Sequence, residues 1–309
     1  MTKNKPLSHY VPKFSNKYWA DESNFMSYFW CDYTSSVKKE SRGKKQWGRM
    51  RGLYTWAVEN ALDKDLETKV APLYEKLITY NELNKDERFL WSQFILSQLV
   101  RTPSYIKYEK KLVELTGVKS EPICDRVGCQ ECLDLNFVAN RNWLLLKTHC
   151  DDYLVRTDNP VLQTGFIELP NSYIIYPLTP HLCFVATPMS DNWNPLEFNT
   201  NPTIGYEMPK GWAHMVNFYL AKSAYRSLIL SPEHAGVISD IMFTDILGSY
   251  TQPPFSLHVT EQEFADSAFD SIRRIMSITD EYDYPDWEIE RLTPNYPENT
   301  IEEEIGHSS

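Results

Sequence analysis

No apolar run in this 309-residue chain approaches the roughly 18 residues that a membrane-spanning helix needs. The longest candidates, WLLLK and FILSQLV, are the size of core pieces. The opening MTKNKPLSHY has no hydrophobic stretch behind its lysines, so no secretion signal is expected and a cytoplasmic location is. The 6 cysteines then read as reduced thiols or metal ligands, not as disulfides. Glycine is scarce and no internal repeat is visible. Neither a PD…ExK pair nor an R-x4-H motif is present, which excludes those two nuclease signatures.

Charge is unevenly placed. The net charge is −11, and residues 261–309 alone hold 14 acids and 3 arginines, the whole of the excess. The rest is close to neutral, yet KKESRGKKQWGRMR (38–51) carries 7 cations. Lys44, Lys45 and Arg49 are expected to contact phosphates there, with Trp47 stacking on a base, which makes RNA the candidate partner. The alternative for such a run is a solvated loop. The acidic tail is itself a candidate to mimic nucleic acid, to cover the basic loop in cis, or to bind a partner protein.

Periodicity gives the elements. NFMSYFWCDY (24–33) reads as a strand. Apolar residues at Leu62, Leu66, Val70, Leu73 and Leu77 mark an amphipathic helix running from about Trp56. Further helices are expected over 86–101, 104–116 and 212–230, and another in HAGVISDIMFTDILG. Proline-punctuated strands, SYIIYPLTP and HLCFVATP, lie between them. The sum is an α+β protein: one helix-rich globular domain over 1–278 with a small, mainly antiparallel central sheet. Two lobes meeting near 118–150 are the variant of that reading. An acidic, partly mobile tail follows over 279–309.

Several short pieces recur in a fixed order: HYVPKF, LYTW, FILSQLVRTP, RTDNPV, YPLTP and VNFYLAKSAYR. Together, over roughly residues 8–230, they resemble a bacterial family of HYVP-type proteins known only as a domain of unknown function, DUF4238. The resemblance implies no reaction. It implies an effector role in a phage-defence or toxin locus, with partner proteins from the same operon.

The residues within those pieces suggest chemistry. His9 suits proton transfer near neutral pH, Arg101 suits a phosphate or carboxylate, and Asp158 sits where a short loop presents polar groups. These are the catalytic candidates. Tyr10, Gln98, Asn159, Asn217 and Arg226 are the substrate-binding candidates beside them. Such a set makes a polar pocket or a buried structural network equally well. Cleavage of RNA by these groups needs no metal, because the 2′-hydroxyl is the nucleophile. Hydrolysis of a nucleotide such as NAD and a non-catalytic sensor or adaptor are the alternatives. Cys124, Cys129, Cys132 and Cys150 have spacing for a structural zinc. Glu59, Asp63 and Glu67, at i, i+4 and i+8, would hold magnesium if they faced a substrate, but they read as a solvent-facing edge.

Overall fold

The alternating stretch FMSYFWC forms strand β2 (Phe25–Cys31), which buries Met26 and Phe29. In the computed structural model the described residues are 5–31, 37–116, 135–164, 167, 172–187, 197–199, 201–225 and 227–235. The chain divides into two compact units, Met1–His258 and Val259–Ser309, and all described residues belong to the first. The expected boundary at 278 and the acidic tail lie outside the described residues.

The α+β class is as the sequence indicates, but among the described residues the strands divide among three sheets. A four-stranded antiparallel sheet has the order β3 (Val37–Gly43), β2, β11 (Ser227–Leu230), β6 (Arg156–Thr157). A five-stranded sheet runs β10 (Ile204–Glu207), β5 (Trp143–Lys147), β9 (Leu182–Ala186), β8 (Ile174–Thr179), β7 (Leu162–Gln163). Its β10–β5 pair is parallel and the others are antiparallel. The third is a two-stranded ribbon of β1 (Leu7–His9) with β4 (Arg49–Arg51).

The basic segment is therefore not a loop. Its first half is edge strand β3, where exposed charges discourage further strand pairing. Its last residues are β4.

The helix from Trp56 has three parts: α1 (Trp56–Ala61), a π-helical stretch (Leu62–Glu67) and α2 (Thr68–Ile78). Thr55 caps α1 by accepting from the Val58 amide at 3.3 Å. α3 (Lys85–Val100) opens on a capping box, Asn84 accepting from the Glu87 amide and Glu87 from the Asn84 amide, each at 3.0 Å. Pro103 then begins α4 (Pro103–Thr116), as a proline favours a first turn. α5 (Asn136–Ala139) is a single turn.

The expected helix over 212–230 is shorter. α6 (Trp212–Ser223) stops at Ala224, whose backbone is extended, and SLIL continues as β11. The reason is Asp158, which takes the amides of Tyr225 and Ser227 at 2.7 and 3.0 Å and so holds them out of a helical ladder. α6 carries Asn217 and ends at Ser223, and Arg226 is outside the described residues, as is most of HAGVISDIMFTDILG.

The main core lies where α2 and α3 cover β8 and β9. Tyr74, Trp91, Phe94, Tyr176 and Phe184 pack edge-to-face or tilted, with ring centroids 5.1 to 6.5 Å apart. Such aromatic pairs stabilise beyond the area they bury. Among the described residues no helix is long and apolar enough to cross a membrane.

Candidate functional site

The HYVP segment is fastened by one glycine. The carbonyl of Gly48 accepts from the amides of Tyr10 and Val11 at 2.9 and 3.1 Å. Gly48 has φ +72°, and a Cβ there would fall 2.5 Å from Val11 Cβ, so the close approach needs glycine. The adjoining ribbon pairs Leu7 with Arg51, Ser8 with Met50 and His9 with Arg49. Directly opposed residues share a face, so His9 stands beside an exposed arginine.

Glu59, on α1, grips His9 twice. The His9 backbone amide donates to both carboxylate oxygens at 3.2 Å, and ring Nδ1 lies 3.1 Å from Oε1. A carboxylate only accepts, so this contact places a proton on Nδ1, and in the neutral ring the lone pair is then on Nε2. Nε2 has no hydrogen-bond partner among the described residues. The His9 side chain is 12% exposed and that of Glu59 18%, enough for contact with solvent.

The second part of the assembly is buried. Arg101, just past α3, is fully enclosed. It donates through Nε to the Tyr10 carbonyl at 3.0 Å and through Nη1 to Glu67 at 2.7 Å. With its amide oxygen toward the guanidinium, Gln98 accepts from Nε and Nη2 at 3.0 and 2.8 Å. Three residues apart on α3, Gln98 and Arg101 meet as a helix turn requires. Burial raises the Glu67 carboxyl above its ordinary value; Arg101 opposes that, and Asp63 and Glu59 add to it. Tyr54, from LYTW, ties both parts together: its amide reaches Ser8 Oγ and its hydroxyl the Arg101 carbonyl, each at 3.3 Å.

The carboxylate edge is thus not a solvent face. Asp63 alone is exposed, while Glu59 and Glu67 turn inward to His9 and Arg101. The π stretch between them is wider per turn than an α-helix, and apolar periodicity gives no sign of it. Both inward carboxylates have protein partners, and the three do not gather into a metal-sized cluster.

Other candidates are joints of the fold. Asp158, 2% exposed, also accepts from Ser227 Oγ at 3.1 Å, which fills its oxygens from one strand end. It lies close enough to Tyr10 to help burial raise that phenol. Asn159 accepts from Ser104 Oγ at 2.7 Å and donates to the Ser223 carbonyl at 2.6 Å, bridging α4 to the end of α6. Asn217 accepts from the Val155 amide at 2.8 Å and donates to the Tyr153 carbonyl at 2.7 Å.

Trp47 is 4% exposed and donates to Ser227 Oγ at 3.3 Å, so its ring does not face a place where a base would stack. The exposed indole near the site is Trp56, 56% exposed and one turn before Glu59. Lys44 is half-buried, and Lys45, Arg49 and Arg51 are exposed. Cys124, Cys129 and Cys132 lie outside the described residues. Cys150 is an exposed free thiol with its Sγ 3.6 Å from His149 Nδ1.

No curated protein and no solved structure matches this chain. The motifs from RTDNPV onward lie beyond the one stretch that a family model covers. That stretch is residues 8–122, which match the family described as protein of unknown function (DUF4238), the family the ordered motifs resemble, and it holds every residue of the His9–Glu59 and Glu67–Arg101 assembly.

Proposed function

We propose that the chain is a nuclease-like effector enzyme that cleaves RNA, with His9 as the proton-transfer group. The observation that carries this reading is the Glu59 clamp on His9 Nδ1 at 3.1 Å, with Arg49 directly across the ribbon. A carboxylate that fixes the tautomer and orientation of a histidine leaves the other ring nitrogen as a base, the arrangement general acid–base catalysis needs.

In this reading Nε2 takes the proton of a ribose 2′-hydroxyl. The oxygen attacks the adjacent phosphorus, the bond to the 5′-oxygen breaks, and the protonated imidazole returns its proton to that leaving oxygen. The products are a 2′,3′-cyclic phosphate and a free 5′-hydroxyl. Arg49 and Arg51 balance charge on the phosphate, and Lys45 extends the basic track. Arg101 is fully enclosed and bonded to Tyr10, Gln98 and Glu67, and it acts as a positioning residue, holding the Tyr10 carbonyl beside His9. A bacterial defence or toxin setting is part of this proposal, in keeping with what the family resemblance implies.

The test is a cleavage panel of tRNA, single-stranded RNA, plasmid DNA and NAD, each with magnesium or EDTA, beside His9→Ala and Arg49→Ala. RNA cleavage that persists in EDTA and disappears in His9→Ala is the expected result. Consumption of NAD alone would move the substrate to a nucleotide. Inertness across the panel, in a folded protein, would favour a sensor or adaptor. That second reading has its own support, since Arg101, Asp158, Asn159 and Asn217 are all bonded within the fold.

A further inference from the structure

The turn between β8 and β9 belongs to one sheet, and the short 3-10 turn Pro232–His234 follows the last strand of another. They meet at His181, Glu233 and His234. One ligand atom from each lies within 4.8 Å of the other two. We infer that these three side chains bind a divalent cation of the zinc class, with water in the fourth position. Two imidazoles and one carboxylate are a known zinc donor set, and three protein ligands leave the tetrahedral ion one open place.

The surrounding bonds prepare the imidazoles for this. His181 Nδ1 lies 3.2 Å from the Asp152 carbonyl oxygen and 3.2 Å from Thr148 Oγ1. The carbonyl only accepts, so Nδ1 carries the proton and Nε2 is the ligating atom. A backbone carbonyl behind a histidine is the outer support that metal-bound imidazoles use. The His181 amide donates to Thr179 Oγ1 at 3.1 Å, which fixes the turn.

His234 contributes the second observation. Its Nδ1 is buried, without a hydrogen-bond partner among the described residues, and 3.8 Å from Glu233 Oε1. Its ring plane is set by stacking on Tyr153, centroids 4.5 Å apart at 13°, and His181 meets it edge-on at 5.2 Å. Donors on a tetrahedral zinc stand about 3.3 Å apart, given bonds near 2.0–2.1 Å. The cluster therefore closes by at most about 1.5 Å, which small rotations of the exposed His181 and Glu233 side chains supply. The other metal-sized cluster, His149, Cys150 and Asp151, consists of consecutive residues, and its Asp151 is already paired to Lys210 at 3.1 Å. This site lies outside residues 8–122, and the metal-free chemistry proposed above does not depend on it.

Cobalt is the probe, because its spectrum reports its ligands. Full-length protein is stripped with EDTA, dialysed and titrated with cobalt(II). The expected result is one ion with strong visible bands of tetrahedral nitrogen–oxygen coordination. His181→Gln and His234→Gln should each weaken binding at least tenfold, Thr148→Val by about tenfold through the outer support, and Cys150→Ser not at all. Zinc should displace the cobalt. Circular dichroism checks that each variant folds, and exposed His181 provides a test even if His234→Gln does not. The inference fails if no ion with these bands binds, if both histidine variants keep them, or if Cys150→Ser removes them.

Discussion

Replacing Arg101 by Met separates a structural joint from a catalytic group. The change keeps an unbranched apolar stem and removes the guanidinium. It leaves Glu67 without its cation at 2.7 Å, and the Tyr10 carbonyl and the Gln98 amide oxygen without donors. Losing one partner of a buried ion pair costs about 3–5 kcal/mol, and the orphaned acceptors belong to the same network, so their costs do not simply add. With a urea dependence of about 3 kcal/mol per molar, a loss near 4 kcal/mol lowers the unfolding midpoint by about 1.3 M.

The deficit also depends on pH. Burial holds the Glu67 carboxyl above its ordinary value although Arg101 pulls it down. An acid raised in the folded state contributes stability below its unfolded value and loses it as pH rises through the folded one. Without Arg101 the folded value rises further, so the penalty for ionising Glu67 grows. The midpoint shift should therefore be larger near pH 8 than near pH 5, and adding Glu67→Gln should recover part of it at the higher pH. Urea titrations followed by tryptophan fluorescence measure both. A shift under about 0.3 M, or one that is the same at the two pH values, refutes the account of Arg101 as a buried joint.

Three further outcomes follow from named contacts. Glu59→Gln keeps the shape but removes the charge beside His9; kcat on RNA should fall about 100-fold with KM nearly unchanged, and an unaltered kcat removes the dyad. Asn217→Leu loses bonds to Val155 and Tyr153; stability should drop by about 2 kcal/mol in urea with RNA affinity intact, and equal stability would show that the clamp is idle. Arg156 is fully buried with no carboxylate bonded to it among the described residues; Nη2 donates to the Tyr176 hydroxyl, but Nε and Nη1 have no hydrogen-bond partner there. Arg156→Met should therefore leave stability unchanged or raise it by about 1 kcal/mol, and a loss above about 2 kcal/mol contradicts that.

Local signals in the sequence were reliable where one element decided the outcome. Periodicity places α3 within one residue of its observed ends, because Asn84 and Pro103 punctuate it on both sides. It fails at 224–230, where SLIL suits a helix or a strand equally and Asp158, 67 residues from Tyr225, settles the matter. It fails again at Glu59 and Glu67, whose inward turn depends on a π stretch that residue spacing does not reveal.

The polar motifs posed a harder problem. HYVP, Q-x-x-R-T-P and D-N-P place His9, Arg101 and Asp158 equally well in one pocket or in one scaffold. The partners that decide between these are remote: Glu59 is 50 residues from His9, and the Tyr10 carbonyl is 91 from Arg101. Once the partners are known, the motifs separate by what their side chains have left to offer. Arg101, Asp158 and Asn159 use their polar atoms to join α3, β11, α4 and α6 to the rest. Of these motif residues, His9 has one nitrogen clamped and the other without a partner among the described residues, next to an exposed arginine on the facing strand. That asymmetry, at a solvent-contacting edge, is the ground on which the proposed chemistry is assigned to His9 and not to Arg101 or Asp158.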